Sequence, residues 1–357
     1  MKEGRRDSSC YSRGEGLIPL EPIDVRNIDS FSDMLRAMAK TSFGGRRVGE
    51  AANVLCTMVS DKNCFRILTL SGAMTVAQQN LVIDDLIDLG WFDCVVSTGA
   101  LIAHGAIEGI HGVHYRADSG TDDRKFYHMG ANRIYDTLEL EYNMDLLEAF
   151  VGKVFVKAAE RPDPWSSWEI CRRLGKYLHN HSLSADDRVV LRTAYMRNIP
   201  IFIPAFTDSE LGLDFCIQIY AQRLAGLPTF NFNSFLDLEK YTEMVANAVR
   251  TGKNLGIFII GGGVPRNWAQ QVGPHLDIRG MRLGQEHGAF ARFKYAVRFC
   301  TAPESDGGLS GSTFREGVSW GKHIPREEGG MQAEAVVDAT IVLPMVVRGV
   351  MERLGVI

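Results

Sequence analysis

The feature that most constrains the fold is a series of apolar, β-branched runs, each followed by a segment long enough for a helix. The runs are Phe65–Leu70, Asp93–Val96, Ile199–Ile203, Leu255–Ile260 and Tyr295–Phe299. Strands this apolar are buried on both faces, and helix-length connections between them are typical of parallel sheets. The sequence therefore predicts an α/β fold: a doubly wound, mostly parallel sheet with helices on both faces.

The chain has 357 residues, enough for one large α/β domain with a sizeable core. Residues 1–28 are predicted to form a mobile N-terminal arm, and residues 29–357 a single domain. Near the start of that domain, Phe31, Met34, Leu35 and Met38 recur at helical spacing, so a helix is expected between Asp29 and Ser60. The segment 161–165, with two prolines, is interpreted as a surface loop within the domain.

Composition excludes several classes of partner. With 39 Lys and Arg against 43 Asp and Glu, the formal net charge of −4 gives no reason to expect nucleic acid. No apolar run is long enough to span a bilayer, and Met1–Asp7 lacks the apolar core of a signal peptide, so no membrane association is expected. The seven cysteines are odd in number and form no CxxC pair, which favours a cytoplasmic protein without structural disulfides.

Small, hydroxyl and acidic residues follow the predicted strands. They are Ser71-Gly72-Ala73, Ser97-Thr98-Gly99-Ala100, Thr207-Asp208, Gly261-Gly262-Gly263 and Thr301-Ala302. Ligands of open parallel sheets bind at the carboxyl ends of the strands, where small residues let a phosphate approach the backbone. Each turn alone is equally well explained by tight strand–helix packing, but together they favour a nucleotide site. The GxGxxG fingerprint of ordinary dinucleotide-binding loops is absent.

The run Arg315–His323 places Lys322 behind a glycine and Trp320, shortly after the glycine-rich loop Ser305–Gly311. A lysine desolvated beside an indole has a lowered pKa, and its amine becomes a nucleophile. The alternative is a surface lysine lying over a tryptophan. A P-loop is excluded, because the glycines are too close together and His323 stands where Ser or Thr would bind magnesium.

Three histidines, His104, His111 and His114, follow the second predicted strand. His-x2-His spacing occurs in metal sites, but no acidic or thiol partner is evident from the sequence, so no metal is expected. His104 is expected to face the crevice at the strand ends, and the other two are interpreted as structural.

The motifs together resemble the deoxyhypusine synthase family. Besides Ser319-Trp320-Gly321-Lys322, similar blocks occur in the family's order at Val96–Ala100, Asn132-Arg133-Ile134, Arg173–Lys176, Pro204–Asp208, Gly261–Val264, Thr301-Ala302 and Val337-Asp338-Ala339. The Gly307–Gly311 and Gly261–Asn267 segments, with Tyr135–Glu139, look like the bacterial deoxyhypusine synthase-like branch.

The resemblance implies NAD as cofactor, bound in a Rossmann-like crevice. The matching cofactor positions are Thr98, Gly99, Ala100, Asp208, Gly262, Thr301, Ala302, Asp338 and Ala339. Asp208 and Asp338 supply carboxylates for ribose hydroxyls and no arginine obviously awaits a 2′-phosphate, so NAD is expected over NADP. The family also implies a homotetramer with active sites between subunits.

The family chemistry implies that Lys322 is the catalytic residue of an aminobutyl transferase. Its amine would attack an imine made by oxidising a polyamine such as spermidine or putrescine, hold the aminobutyl group, and pass it to an acceptor. The acceptor is a small amine or a protein lysine, with the small amine favoured. Trp320 would form a wall of the substrate pocket, and Glu316 and Asp306 would bind ammonium groups. The alternatives are an NAD-binding protein without transferase activity and an amine dehydrogenase.

Four places depart from the eukaryotic family pattern. Two consecutive acids become Ala103-His104, an acid becomes Leu213 with Asp214 beside it, a serine–acid pair becomes Gly308-Leu309, and a histidine becomes Asn267. Several carboxylates that would bind a polycation are therefore missing. His104 and Asn267 are included among the predicted substrate-binding residues because they occupy the changed positions.

Overall fold

The structure is a computed structural model that describes residues 14, 16–118, 120–155, 163–181, 187–284 and 290–357. Its strands are β1 Cys64–Leu70, β2 Cys94–Val96, β3 Tyr115–Arg116, β4 Ala131–Ile134, β5 Thr137–Leu140, β6 Ile201–Phe202, β7 Asn254–Ile260, β8 Phe293–Cys300 and β9 Met331–Val336. Six of these form a fully parallel sheet in the order β6-β2-β1-β7-β8-β9. The predicted α/β class with a parallel sheet is confirmed.

The strand order contains one reversal. From β1 the chain adds β2 and β6 on one side, then returns to place β7 against the other side of β1 and continues outward to β8 and β9. This is the doubly wound Rossmann order, in which a crevice opens at the carboxyl ends of the two strands flanking the reversal. Ser71, after β1, and Gly261, after β7, therefore lie at its centre.

Helices cover both faces of this sheet, as predicted. They are α1 Phe31–Ala39, α2 Phe43–Ser60, α3 Asn80–Asp88, α4 Gly99–Gly109, α5 Asp123–His128, α6 Glu141–Phe155, α7 Ser167–His181, α8 Val190–Met196, α9 Glu210–Leu224, α10 Phe235–Arg250, α11 Gly263–Gln270, α12 Val272–Leu283, α13 Phe314–Ser319 and α14 Ala339–Arg353. None of them, within the described residues, has the length and apolar character needed to cross a membrane.

The two faces of the sheet belong to two separate cores. Ile67 and Leu68 are adjacent in β1 and both fully buried, but Leu68 packs with α2, α4 and α14, whereas Ile67 packs with α10 and α11. Ile257 and Phe258 in β7 divide in the same way. Alternate side chains of a strand point to opposite faces, so these continuous apolar runs are explained by burial on both sides.

The N-terminal helical region is split where one helix was expected. Helix α1 begins after Ser30, whose side chain accepts a hydrogen bond from the Asp33 amide, and it ends at Ala39. Helix α2 follows after three residues, and both helices pack with α14. Residues 1–13 and 15 of the predicted mobile arm lie outside the described residues, and the boundary at residue 28 stays a prediction.

A second, antiparallel sheet in the order β3-β5-β4 was not predicted. It lies between α4 and α6 in the chain, and its β4–β5 hairpin turns at Tyr135 and Asp136.

The prediction that residues 161–165 form a surface loop is wrong for Trp165, which is not on the surface. It is 2% exposed and bridges to Phe232, with the guanidinium of Arg173 over its ring. Residues 161–162 of that predicted loop lie outside the described residues.

Candidate active site

A cavity of about 330 Å³ opens at the carboxyl ends of β1, β7, β8 and β9. Its walls include Ser71, Gly261, Thr301 and Asp338, and the β4–β5 hairpin residues 134–137 contribute on one side. The cavity therefore lies at the crevice that the strand order predicts, with part of the small antiparallel sheet over it. Its position is that of a nucleotide site in a doubly wound sheet.

The turn after β7 shows why the sequence has three consecutive glycines there. Gly261 has a φ of +81°, and a Cβ on it would lie 2.3 Å from Ser71 Oγ. Ser71 Oγ accepts a hydrogen bond from the Gly262 amide, and Ser310 Oγ accepts one from the Gly263 amide. These two hydrogen bonds draw the first residues of α11 against the crevice, where the positive end of the helix dipole favours an anionic ligand.

The predicted cofactor residues share one edge of the sheet but divide into two groups. Thr301, Asp338 and Ala339 line the cavity, and Gly262 and Ala302 are next to lining residues. Thr98, Gly99, Ala100 and Asp208 follow β2 and β6, farther along the same edge. Local packing also explains part of this pattern, since Thr98 caps α4, Asp338 caps α14, and a Cβ on Gly99 would lie 2.1 Å from Ser209 Oγ.

Lys322 is held by a short helix and a strand. Helix α13 is capped by Thr313 and ends at Ser319, with Trp320 directly after it, and Gly321 turns the chain with a φ of +69°. The Lys322 amide donates to the Gly317 carbonyl, while the Lys322 carbonyl accepts from the Phe293 amide at the start of β8. These two hydrogen bonds fix the backbone of Lys322, and they therefore fix the position from which its side chain extends.

The lysine site, which comprises Lys322, Asn267, Arg266 and Trp320, has the properties of an amine nucleophile. Lys322 Nζ donates to Asn267 Oδ1 at 3.2 Å and lies 5.9 Å from the centre of the Trp320 ring. Burial lowers the pKa of Lys322 first, and the nearby Arg266 lowers it further, while Glu316 acts in the opposite direction. A lysine with a lowered pKa has more neutral amine at physiological pH.

Two arginines fix the glycine-rich loop beside this lysine. Arg266 donates to the Ser312 carbonyl at 2.6 Å, and Arg298 donates to the Ser310 and Ser312 carbonyls at 2.9 and 2.6 Å. Arg298 also pairs with Glu334 on the neighbouring strand at 2.5 Å. Burial, followed by the neighbouring Arg298, lowers the pKa of Arg266 to about 10. Neither arginine was predicted as a site residue, although a charge inside the apolar run of β8 was a signal for Arg298.

His323, the residue after Lys322, anchors this segment in the protein interior. It is 1% exposed, its Nε2 contacts Gln270 Nε2 at 3.0 Å, and its ring packs against Phe293 and Phe314. Burial, with smaller effects of Arg266 and Lys322, lowers its pKa to about 3, so the ring is neutral. The sequence drew attention to His323 only as an argument against a P-loop.

The acidic residues predicted to bind substrate stand apart from the lysine amine. Glu316 is exposed on α13 and reaches Lys322 only electrostatically. Asp306 is exposed and its carboxylate accepts from the Gly308 amide, which shapes the glycine-rich loop. Trp320 is 61% exposed. These three side chains are available to a ligand, and their substrate roles stay predictions.

His104 is buried beside a carboxylate, so the interpretation that no acid accompanies the histidines is wrong, whereas its predicted place facing the crevice stays a prediction. Glu139, on β5, places Oε2 2.8 Å from His104 Nδ1 and 2.6 Å from His114 Nε2. Glu139 and the His114 side chain are almost completely buried. We call His104, His114 and Glu139 the histidine cluster. The sequence did not indicate it because Glu139 lies 35 residues after His104 on a short, polar strand.

Further carboxylates surround this cluster. Glu210, the first residue of α9, has Oε1 3.8 Å from His104 Nε2. One turn later, burial raises the pKa of Asp214 to about 7, with further contributions from Glu148 and Glu210. Asp214 is the acid beside Leu213, where the sequence departs from the eukaryotic pattern. This part of the molecule therefore favours a cationic ligand.

Comparison with known proteins agrees with this architecture. The family model described as deoxyhypusine synthase matches residues 33–350. A relative from Methanosarcina acetivorans named "Probable deoxyhypusine synthase 2" is 34% identical over 94% of this chain and 90% of its own length. A "Deoxyhypusine synthase-like protein" from Elusimicrobium minutum is 30% identical over 92% of this chain and 82% of its own.

Among solved structures, a "putative deoxyhypusine synthase" from Entamoeba histolytica superposes with a TM-score of 0.55 and 15% identity. The match covers 92% of this chain and 96% of that one. At this identity the match bears on the fold alone, and it agrees with the six-stranded parallel sheet surrounded by helices.

Proposed function

The chain belongs to the deoxyhypusine synthase family, as its motifs predicted, and we propose that it is an NAD-dependent aminobutyl transferase of polyamine metabolism acting through Lys322. The observation that carries the proposal is the environment of this lysine. Its amine is half-buried, contacts a neutral amide rather than a carboxylate, and has the buried Arg266 guanidinium nearby. A structural surface lysine would not need this desolvated, cation-rich surrounding.

The residues at the crevice fit the NAD that the family uses. The strand reversal, the close approach permitted at Gly261 and the helix dipole at the start of α11 suit a pyrophosphate, and the exposed Asp338 carboxylate suits a ribose hydroxyl. Thr301 and Ala339 would complete the wall nearest to it. When bound, NAD supplies a hydride acceptor for the polyamine and later returns the hydride.

The chain's own residues perform the transfer. Neutral Lys322 Nζ attacks the imine carbon of the oxidised polyamine, the remaining amine leaves (a diamine from spermidine, ammonia from putrescine), and the aminobutyl group stays on Nζ as a new imine. An acceptor amine then attacks the same carbon and releases Nζ as a free amine. Asn267 orients Nζ through its side-chain oxygen, and Arg266 disfavours a proton on Nζ before the attack. The net reaction transfers the group without redox change.

The substrates proposed are polycations. The carboxylates Glu148, Glu210 and Asp214 lie close enough to raise the pKa of Asp214, and an ammonium group bound among them would relieve that repulsion. They support a polyamine donor such as spermidine or putrescine. For the acceptor we favour a small amine over a protein lysine, because several carboxylates of the eukaryotic pattern are replaced in this chain.

The proposed assembly is a homotetramer in the cytoplasm. An apolar stripe on α9 supports an interface, since Leu213, Ile217, Tyr220 and Leu224 recur at helical spacing and are 54–90% exposed. The apolar run 337–347 gives less support than expected, because Val342, Leu343, Val346 and Val347 pack inside the subunit. Light scattering at micromolar concentration tests this assembly, and a monomer would contradict it.

The function is tested by incubating the protein with NAD and a panel of polyamines, with and without small-amine acceptors. Mass spectrometry of the products should show transfer of an aminobutyl group to an added amine without net accumulation of NADH. Free aminoaldehyde with accumulating NADH would instead identify an amine dehydrogenase. Calorimetry with NAD and NADP separates cofactor binding from catalysis, and NAD binding without any product would identify a binding protein.

A further inference from the structure

The histidine cluster combines three groups that bind metal ions. The ligand-type atoms of His104, His114 and Glu139 all lie within 4.8 Å of one another. Two imidazoles and one carboxylate form three-ligand sites for zinc and related divalent ions, and such sites keep further positions open. The ligands come from helix α4, the turn after it and strand β5, so they join parts of the fold that are distant in sequence.

His114 is the residue that hydrogen bonding leaves unexplained. Its side chain is 2% exposed, and neither ring nitrogen makes a hydrogen bond of acceptable geometry. Its Nε2 nevertheless lies 2.6 Å from the same Glu139 oxygen with which His104 hydrogen-bonds at 2.8 Å. Buried polar nitrogens without partners cost free energy and need an explanation. A metal ion between the three side chains would use the His114 Nε2 lone pair.

The backbone bends sharply to bring His114 to this place. Helix α4 ends at Gly109, and His111 adopts a φ of +69°, which is rare for a residue with a side chain. The Gly112 amide then donates back to the Ile107 carbonyl at 2.9 Å. A Cβ on Gly112 would lie 2.3 Å from the Ile107 side chain. The turn is built so that His114 lies beside His104 of the preceding helix.

The surroundings resemble the outer shell of a metal site. The ring nitrogens directed away from Glu139 each have a carboxylate nearby, with His104 Nε2 3.8 Å from Glu210 and His114 Nδ1 3.8 Å from Glu108. Asn143 Nδ2 donates to Glu139 Oε1 at 2.5 Å, which leaves Oε2 for the histidines. Metal-binding histidines usually have such carboxylate partners, which fix the orientation of the ring.

We propose that His104, His114 and Glu139 bind one divalent first-row transition metal ion, with zinc the expected occupant. A tetrahedral zinc ion about 2.1 Å from each ligand atom separates neighbouring ligand atoms by about 3.4 Å, so the Glu139 oxygen has to withdraw by less than about 1 Å. The ion would connect α4 to β5, whose hairpin with β4 borders the crevice cavity. It would thereby hold the hairpin in place, independently of the transferase chemistry.

The test uses untagged full-length protein, stripped with a chelator and then given zinc in competition with a chromophoric chelator. Elemental analysis after desalting should find one zinc ion per chain, and zinc should raise the thermal unfolding midpoint. Glu139→Gln keeps the shape of the side chain but weakens the ligand, and it should lower zinc affinity at least tenfold, as should His114→Ala. Parallel titrations with Fe²⁺, Mn²⁺ and Co²⁺ identify the preferred ion.

His128→Ala is the matched control, because His128 is an exposed imidazole on α5 near the small sheet and should leave zinc binding unchanged. Failure of wild-type protein to retain zinc or any of the three other ions would overturn the proposal. Equal zinc affinity in wild-type protein and in folded Glu139→Gln would also overturn it. Neither result depends on NAD or on transfer activity.

Discussion

The lysine site and the histidine cluster arrange charge in opposite ways. Around Lys322 the neighbours are a neutral amide and the buried Arg266 guanidinium, and the predicted acid Glu316 is exposed. Around the histidine cluster, carboxylates come from three elements of the fold. Neighbouring cations release a proton from an amine, whereas neighbouring carboxylates attract cations. One fold therefore favours a neutral nucleophile in one region and a bound cation in another.

The largest expected effect comes from removing the nucleophile while keeping the positive charge. Lys322→Arg should reduce transfer on the order of a thousandfold or more, since arginine stays protonated and cannot attack an imine. NAD affinity, measured by calorimetry, should change little, because the cavity at the crevice is lined by other segments. Substantial transfer by Lys322→Arg would make the lysine structural. Loss of transfer with NAD reduction intact would separate the two half-reactions.

Asn267→Asp would give the lysine site an acidic neighbour like those of the histidine cluster, because it places a carboxylate about where the amide oxygen now contacts Lys322 Nζ. The new ion pair should raise the lysine pKa by roughly 1–2 units and lower transfer at pH 7 by about 10- to 100-fold. The rising limb of the pH–rate profile should move to higher pH by a similar amount. Asn267→Ala removes the hydrogen bond without adding charge and should leave that limb where it is. If the pH–rate profile of Asn267→Asp does not shift, the charge next to Nζ does not control the pKa of Lys322.

Asp214→Asn removes one carboxylate from the acidic region near the histidine cluster. The pKa of Asp214 in the folded chain is about 7, against an ordinary 3.8. Between these two pH values the native state keeps a proton that the unfolded state has released. The contribution of this group to stability is therefore present at low pH and lost as the pH rises to about 7. The isosteric amide avoids this loss.

The Asp214→Asn variant and wild type should unfold at similar temperatures at pH 4, and the variant roughly 2 to 5 °C higher at pH 8. Asp145→Asn, at an exposed position of α6, is the control and should show no such dependence on pH. A gain for Asp214→Asn that is the same at both pH values would argue against crowding of carboxylates at this place.

The smallest effect is expected at Trp320, because its ring is largely exposed in one chain. Trp320→Leu should raise the KM for the polyamine about two- to fivefold, the size of a cation–π contact at an exposed position, with a smaller change in kcat. Trp320→Phe keeps an aromatic face and should recover most of the affinity. A kcat loss as large as that of Lys322→Arg would give the indole a role in positioning the lysine itself.

The strands of the parallel sheet that are buried on both faces could be predicted from the sequence. The runs of β1, β7 and β8 are apolar because both of their faces pack against helices. The edge strand β9 was missed, since Gln332 and Glu334 interrupt its pattern. Glu334 is in β9 because it pairs with Arg298 on β8, a contact that only the folded sheet creates. The strands of the antiparallel sheet have two to four residues, too few for a periodic pattern.

The residues of the two sites could likewise be predicted only in part from the sequence. Lys322 and Trp320 were predicted together because they are neighbours in one motif. Asn267 was predicted as a substrate-binding residue because it occupies a changed position, but its contact with Lys322 depends on how α11 packs against the turn after α13. The histidine cluster was missed because its carboxylate arrives from a different sheet. Local sequence identifies residues that are close in the chain, whereas partners brought in by tertiary packing have to be found in the structure.

The most direct test of the covalent role of Lys322 is to trap the lysine imine. The protein is incubated with NAD and a polyamine, reduced with borohydride, digested, and its peptides are analysed by mass spectrometry. We expect one added aminobutyl group on the peptide that contains Lys322. This adduct should form only when NAD and polyamine are both supplied, and it should be absent from Lys322→Arg. Product formation with no trapped adduct, or with the adduct on a different residue, would contradict it.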